Sequence, residues 1–201
     1  MITSLEYDRL ADAIHQGFLI IYPTDTLYAI GASVKSQKAI EQVFSLKQRP
    51  RSLPLPVSVD SMETINDIAE LNPLAQALIS AFLPGPLTLV LQNKTIPKNI
   101  TSGKNTVAIR IPNDEIALAL LKKTGPLTVT SANIHGQSTP TSIDEIRNMF
   151  ISSNIVAYID DGTRNGSPST IVDMTAEKPV ILRQGSISAQ QIDSVVSLHY
   201  G

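Results

Sequence analysis

The sequence predicts an α+β fold, a mixed β-sheet with helices packed on it. Three observations carry that prediction. Apolar runs of strand length intermix with segments of helical period without a strict βαβ alternation. Several of the strand-like runs are separated only by short turns, which parallel crossovers cannot supply. And 42% hydrophobic content over 201 residues is enough for one substantial core, with no linker dividing the chain, so one domain over residues 1–201 is expected.

Leu5, Leu10, Ala13 and Ile14 recur at helical spacing, and Gly17 is placed to end that helix before the apolar run Phe18 to Tyr22, a buried strand. Gln37 to Leu46 has Ile40, Val43 and Phe44 on one face and reads as a short amphipathic helix. Leu55–Val59 is a strand, followed by helices over Ser61–Glu70 and Pro73–Leu83, the second with proline in its first turn. Pro84-Gly85-Pro86 breaks it, Leu87–Gln92 resumes as strand, and Thr106–Ile111 is another. Asp114 opens a helix through Leu121 that Gly125-Pro126 closes, and Leu127–Thr130 is a short strand. A helix over Ile143–Phe150 and strands over Ile155–Ile159, Thr170–Met174 and Val180–Leu182 follow. Ser188 then caps a last amphipathic helix through Ile192, Val195 and Val196.

With 16 basic and 18 acidic residues the net charge is −2, so no global field points to nucleic acid or a membrane, and any anion site is local. The chain has no cysteine, which excludes disulfides and thiolate metal sites and fits a reducing compartment. Met1 leads into Ser4, Glu6 and Asp8 instead of a basic and then apolar segment, so no secretory leader is expected. The longest apolar runs, such as Leu87 to Leu91, are too short to span a bilayer. A cytoplasmic protein with no membrane partner is the expectation.

The chemistry is concentrated where strands stop. Pro23-Thr24-Asp25-Thr26 follows the first strand at once, though Thr and Asp equally favour caps and polar turns. Lys47-Gln48-Arg49-Pro50-Arg51 sets three cations on a proline-stiffened loop, which suits phosphates; an isolated cluster of this kind is as readily a solvated turn. Arg110 lies near a strand end, where an arginine is either ion-paired or a bidentate carboxylate clamp. Ser131-Ala132-Asn133 again puts hydroxyl and amide groups at a strand end. A P-loop is absent: Gly103-Lys104 is followed by Asn105, and Lys98 stands where the first glycine belongs. So are a dinucleotide fingerprint and a nucleophile elbow. His15, His135 and His199 lack zinc spacing, and Asp160-Asp161 reads as a solvated turn, so no metal ligand is assigned.

In this order, Pro23–Thr26, Lys47-x-Arg49-Pro50, Thr106 to Arg110, Ser131-x-Asn133, Gly166-x-x-Ser169-Thr170 and Arg183-Gln184-Gly185 resemble the YrdC/TsaC family, the threonylcarbamoyl-adenylate synthases. The likeness runs from about Gly17 to Gly185, and Lys-x-Arg with Ser-x-Asn is its most diagnostic part. It implies a single domain with a twisted mixed sheet and flanking helices around a basic concave cleft, in a short form without a C-terminal extension. It implies a nucleotidyltransferase reaction: L-threonine, bicarbonate or CO2, and ATP give L-threonylcarbamoyl-adenylate and pyrophosphate. The product then feeds threonylcarbamoyladenosine modification of tRNA through a separate transferase. Mg²⁺ is expected with ATP, held by phosphate oxygens and water.

The resemblance also implies residue roles. Lys47, Arg49, Ser131 and Asn133 form the catalytic set. Lys47, Arg49, Leu53 (through its backbone), Thr106, Ser131, Thr139 and Arg183 meet ATP. Thr26, Ser58, Arg110, Val129 (through its backbone) and Ser169 form the threonine site, with Arg110 on the carboxylate. Three departures stand out: many relatives carry a histidine near Ser58, often read Asp-Gly-Gly where this chain has Asp161-Gly162-Thr163, and read Arg-Pro-Gly where it has Arg183-Gln184-Gly185. Two alternatives remain: a non-catalytic RNA-binding module using the same cleft, for which 4% aromatic residues and a negative charge are poor support, and a relative acting on another carbamoyl-type substrate.

Overall fold

The computed structural model describes residues 3–151 and 155–200; residues 1, 2, 152–154 and 201 of the expected single domain, Met1 of the leader reading included, lie outside them. Among the described residues there are eight helices and ten strands. In order they are α1 (Ser4–His15), β1 (Leu19–Tyr22), β2 (Ala29–Gly31), α2 (Gln37–Lys47), β3 (Val57–Ser58), α3 (Met62–Ile68), α4 (Pro73–Phe82), β4 (Leu87–Gln92) and α5 (Lys98–Thr101). Then come β5 (Thr106–Arg110), α6 (Glu115–Thr124), β6 (Leu127–Thr128), β7 (Thr130–Ser131), α7 (Ile143–Met149), β8 (Ile155–Tyr158), β9 (Thr170–Asp173), β10 (Val180–Arg183) and α8 (Ala189–Tyr200). No helix among them is long and apolar enough to cross a membrane.

The strands form two mixed sheets where one was expected: β7-β2-β1-β8 and β10-β9-β4-β5-β3-β6. The reason lies in the run Leu127–Thr130, expected as one strand. β6 pairs antiparallel with β3, then the chain passes through Val129, and β7 pairs antiparallel with β2 in the other sheet. Thr128 joins the two. Its N–H donates to Ala32 O (2.9 Å), while its Oγ1 donates to Ile30 O (2.9 Å) and accepts from Ala32 N (3.0 Å). A single threonine thus satisfies backbone groups that a continuous sheet would otherwise have to pair.

The caps follow the sequence. Thr3 and Glu6 form a capping box on α1, Ser36 caps α2, Asn72 caps α4 with Pro73 at the first helical turn, and Asp114 caps α6. Gly17 takes φ +89°, a left-handed conformation that glycine adopts without strain, and turns the chain from α1 into β1. α2 ends through Gln48 in the left-handed region, so Lys47 is its last helical residue instead of the first of a loop. The strand expected over Leu55–Val59 pairs only at Val57–Ser58, next to Pro54 and Pro56, which lack the N–H a ladder needs. β2 and α5 were not anticipated, being too short for periodicity to register.

β1 is buried along its length and divides by period 2. Leu19 and Ile21 enter the main core with α2, α3, α4 and most of the six-stranded sheet, while Ile20 and Tyr22 enter a smaller cluster covered by α1 and α6. Each such fully buried aliphatic side chain stabilises the fold by roughly 1.5–3 kcal/mol. The two sheets are consequently held at a fixed separation, and the space between them opens to solvent.

Candidate active site

That space is a cavity of about 460 Å³. From the four-stranded sheet and its loops it is walled by Thr24, Thr26, Leu27, Tyr28, Ala29, Thr130 and Ser131; from the six-stranded sheet by Thr88, Val90, Ala108, Arg110, Ile171, Leu182 and Arg183. Arg49, Pro54, Pro56, Val129, Thr139, Pro168 and Ser169 complete it. Among the described residues three arginines face this space and no carboxylate does. Strand alternation explains the β4 and β5 contribution. The register Leu89↔Ile109 and Val90↔Ala108 puts Thr88 across from Arg110, so Thr88, Val90, Ala108 and Arg110 share one face.

Arg110 is 4% exposed. Its Nη2 donates to Asp25 Oδ1 (2.6 Å) and Gly85 O (3.2 Å), its Nη1 donates to Thr26 Oγ1 (3.1 Å), and its buried Nε has no partner. Both Nη2 hydrogens are therefore committed, and the free two-pronged fork expected from the sequence is reduced to Nε–H and the second Nη1 hydrogen. Burial lowers the guanidinium's proton affinity, and the Asp25 charge opposes that effect. Asp25 Oδ1 also accepts from the Asn113 N–H at 3.2 Å.

Arg183, at the other side of Ser169, donates from Nε (3.2 Å) and Nη2 (2.8 Å) to Ser169 O and from Nη2 to Ser169 Oγ (3.2 Å), which in turn lies 2.8 Å from Thr88 Oγ1. Partial desolvation, then the like charge of Arg110, push its pKa down. The turn after it is packed hard: a Cβ on Gly185 would stand 2.2 Å from Pro168 O, so only glycine lets Arg183 lie against Ser169. Arg49 donates from Nε to Leu53 O (3.2 Å) and from Nη2 to Pro54 O (2.9 Å), and burial lowers its pKa.

Lys47 behaves otherwise. It is 2% exposed and does not line the cavity. Its Nζ donates to Ser131 O (2.5 Å), Asn133 O (2.7 Å) and Asn133 Oδ1 (3.0 Å), which uses all three ammonium protons. Ser131 Oγ donates to the same Oδ1 (2.7 Å), and Asn133 Nδ2 donates to Gln137 O (2.7 Å). Burial, with a smaller contribution from the Arg49 charge, pulls the Lys47 pKa down to about 7. Lys47, Ser131 and Asn133 thus meet as one network, of which only Ser131 reaches the cavity, while Arg49 reaches it separately through its bonds to Leu53 and Pro54.

Of the other sequence candidates, Thr26, Arg110, Val129, Ser131, Thr139, Ser169 and Arg183 line the cavity. Leu53 does not: its backbone N–H donates to Pro50 O (3.0 Å) and its carbonyl accepts from Arg49. Thr106 shares the face of Ala108 and Arg110 but lies farther along β5, and Ser58 is fully buried in β3 beside Arg110 without reaching the space. From sequence, no site role is assigned to Thr24, Asp25, Tyr28, Thr88 or Thr130; for Thr88, the period-2 pattern of its strand is the available signal.

Two mixed sheets fused through β6–β7 around a cavity that three arginines line define the class of protein. YciO of E. coli has this α+β architecture, superposing with a TM-score of 0.87 at 24% identity over 94% of each chain. The family model Sua5_yciO_yrdC, described as "Telomere recombination", matches residues 12–185, and the chain belongs to that family. A threonylcarbamoyl-AMP synthase of Pyrococcus abyssi is 39% identical over 92% of this chain, which spans 56% of that longer protein. A putative threonylcarbamoyl-AMP synthase of Mycobacterium tuberculosis is 36% identical over 92% of this chain and 87% of its own length. The crystal structure of P. abyssi Sua5 complexed with L-threonine superposes with a TM-score of 0.90 at 36% identity, covering 98% of this chain and 58% of that one.

Proposed function

We infer that this chain, as a single domain, is a cytoplasmic L-threonylcarbamoyladenylate synthase that uses L-threonine, bicarbonate or CO2, and ATP. The observation that carries the reading is Arg110, a buried guanidinium on the cavity wall whose Nε–H has no partner among the described residues. A buried donor of that kind is costly unless a ligand fills it. The substrate's carboxylate fills it, beside Thr26 Oγ1. Arg49 and Arg183, whose partners are neutral oxygens, hold the nucleotide's phosphates with Ser131 and Thr139.

The chemistry asks little of the protein covalently. The threonine amine takes up CO2 to form a carbamate and loses a proton; a carbamate oxygen bonds to the α-phosphorus, whose bond to the bridging oxygen breaks, and pyrophosphate leaves. No side chain enters as nucleophile. Arg49 and Arg183 orient the triphosphate and offset its negative charge, each well-placed donor contributing on the order of a few kcal/mol in a water-poor site. Holding both substrates in one cavity contributes several kcal/mol more through effective concentration. Lys47 and Asn133 are positioning residues that fix the Ser131 turn.

Among the described residues no group of three or more His, Asp or Glu side chains is arranged to hold a metal. Mg²⁺ would be carried by phosphate oxygens and water and would supply charge neutralisation to the leaving group. The product is handed to a tRNA-modifying threonylcarbamoyl transferase. Incubating the purified protein with L-threonine, bicarbonate and Mg·ATP and measuring pyrophosphate tests the reading; no release above a control lacking threonine overturns it. Equal rates with serine or glycine in place of threonine would remove the dedicated threonine pocket.

A further inference from the structure

The three cavity arginines are not electrostatically equivalent. Arg110 is paired with Asp25 at 2.6 Å, both side chains nearly buried, at 5% and 13% exposure. Arg49 donates to the carbonyls of Leu53 and Pro54, and Arg183 to Ser169. Neither has a carboxylate in ion-pairing reach among the described residues. Asp25 is fixed for this role from behind: the Asn113 N–H holds the same Oδ1 that Arg110 meets, and Oδ2 is buried without a partner, so its charge is weakly screened. The cavity therefore has a compensated end at Arg110 and two uncompensated guanidiniums, Arg49 and Arg183, the latter near enough to Arg110 for their charges to interact.

A polyphosphate and an amino acid respond to these guanidiniums differently. A multivalent anion gains from a cation in proportion to its charge, and near Arg110 that gain is cancelled by repulsion from Asp25. A zwitterion has no net charge to be repelled, and its carboxylate still receives the Arg110 Nε–H. We propose that Asp25 is the specificity-determining residue that sorts the two anionic ligands, neutralising Arg110 so that this end takes a zwitterionic amino acid while phosphates are confined to Arg49 and Arg183. The proposal rests on the synthase reading for the amino acid's identity, but its electrostatic part does not.

Asp25→Asn tests it, because the amide oxygen still accepts from Arg110 Nη2 and the Asn113 N–H while the charge is gone. Inorganic phosphate is titrated calorimetrically into wild type and variant, and L-threonine binding is measured with and without phosphate. In wild type, phosphate should shift the threonine Kd less than about twofold; in D25N it should compete with threonine and weaken it about tenfold, with one additional phosphate site per chain. Competition in the wild type, or a folded D25N with unchanged phosphate stoichiometry, overturns the proposal. If D25N does not fold, the wild-type competition decides alone. If wild type binds no threonine at all, the synthase reading fails, and the phosphate stoichiometries still decide the role of Asp25.

Discussion

Replacing Lys47 by methionine removes a charge from the network behind the cavity while keeping a flexible side chain of similar length. The Asn133 carbonyl, now bonded at 2.7 Å, is left without that donor, while the Ser131 carbonyl, bonded at 2.5 Å, keeps the Asn133 N–H at 2.9 Å. Each buried, unsatisfied carbonyl costs about 1–3 kcal/mol. Near pH 8 a group with a pKa of about 7 is mostly a neutral amine, so no buried charge is relieved and the net destabilisation is about 1–3 kcal/mol. For a chain of this size that corresponds to roughly 2–4 °C in Tm per kcal/mol.

The pH dependence is sharper evidence. The folded-state pKa of Lys47 is about 7 against an ordinary 10.5, so between those values the unfolded chain holds a proton that the folded one does not. Stability from this group therefore rises with pH through that window and is flat below it. The advantage of wild type over K47M should widen from pH 7 to 9 by at most about 1.4 kcal/mol per unit. Urea unfolding at pH 6, 7.5 and 9 measures it, alongside KM for both substrates. Loosening the Ser131 turn should raise the ATP KM about tenfold and the threonine KM less than threefold. Parallel pH profiles in the two proteins, or equal shifts in both KM values, would refute the reasoning.

Two further substitutions probe the cavity walls. Arg110→Lys keeps the charge but has a single nitrogen for Asp25, Thr26, Gly85 and the ligand, so the threonine KM should rise at least about tenfold with the ATP KM nearly unchanged. Steady-state kinetics with each substrate varied checks it, and a predominant ATP effect would reverse the assignment. Gly185→Ala drives a Cβ against the Pro168 carbonyl and the Ser169–Thr170 backbone, which must shift at a cost of roughly 1–3 kcal/mol. Since Arg183 rests on Ser169, chemical denaturation should show the loss and the ATP KM should rise with it; an unchanged midpoint contradicts the packing argument.

Much of the architecture was legible because it is written in local chemistry. The Asp114 cap, the Pro73 entry, the Gly17 exit and the strand Leu87–Gln92 depend on neighbours within a few residues, and all stand where periodicity and capping rules put them. The cavity residues Thr26, Arg110, Ser131, Ser169 and Arg183 were legible because each sits at or beside a strand end, and Arg49 because it stands in a cationic run stiffened by Pro50. The family resemblance supplied their order.

What the sequence could not supply depends on partners distant along the chain. That Leu127–Thr130 splits between two sheets depends on β2 and β3 arriving from residues 29–31 and 57–58, and no local pattern encodes which neighbour a two-residue strand finds. That Lys47 turns away from the cavity depends on oxygens 84 and 86 residues away, and a buried ammonium goes where three acceptors converge. The fate of Arg110 is the plainest case. Residue type alone settles that a guanidinium is charged and offers planar donors, but how many of those donors remain for a ligand was decided only when folding brought Asp25, Thr26 and Gly85 around it.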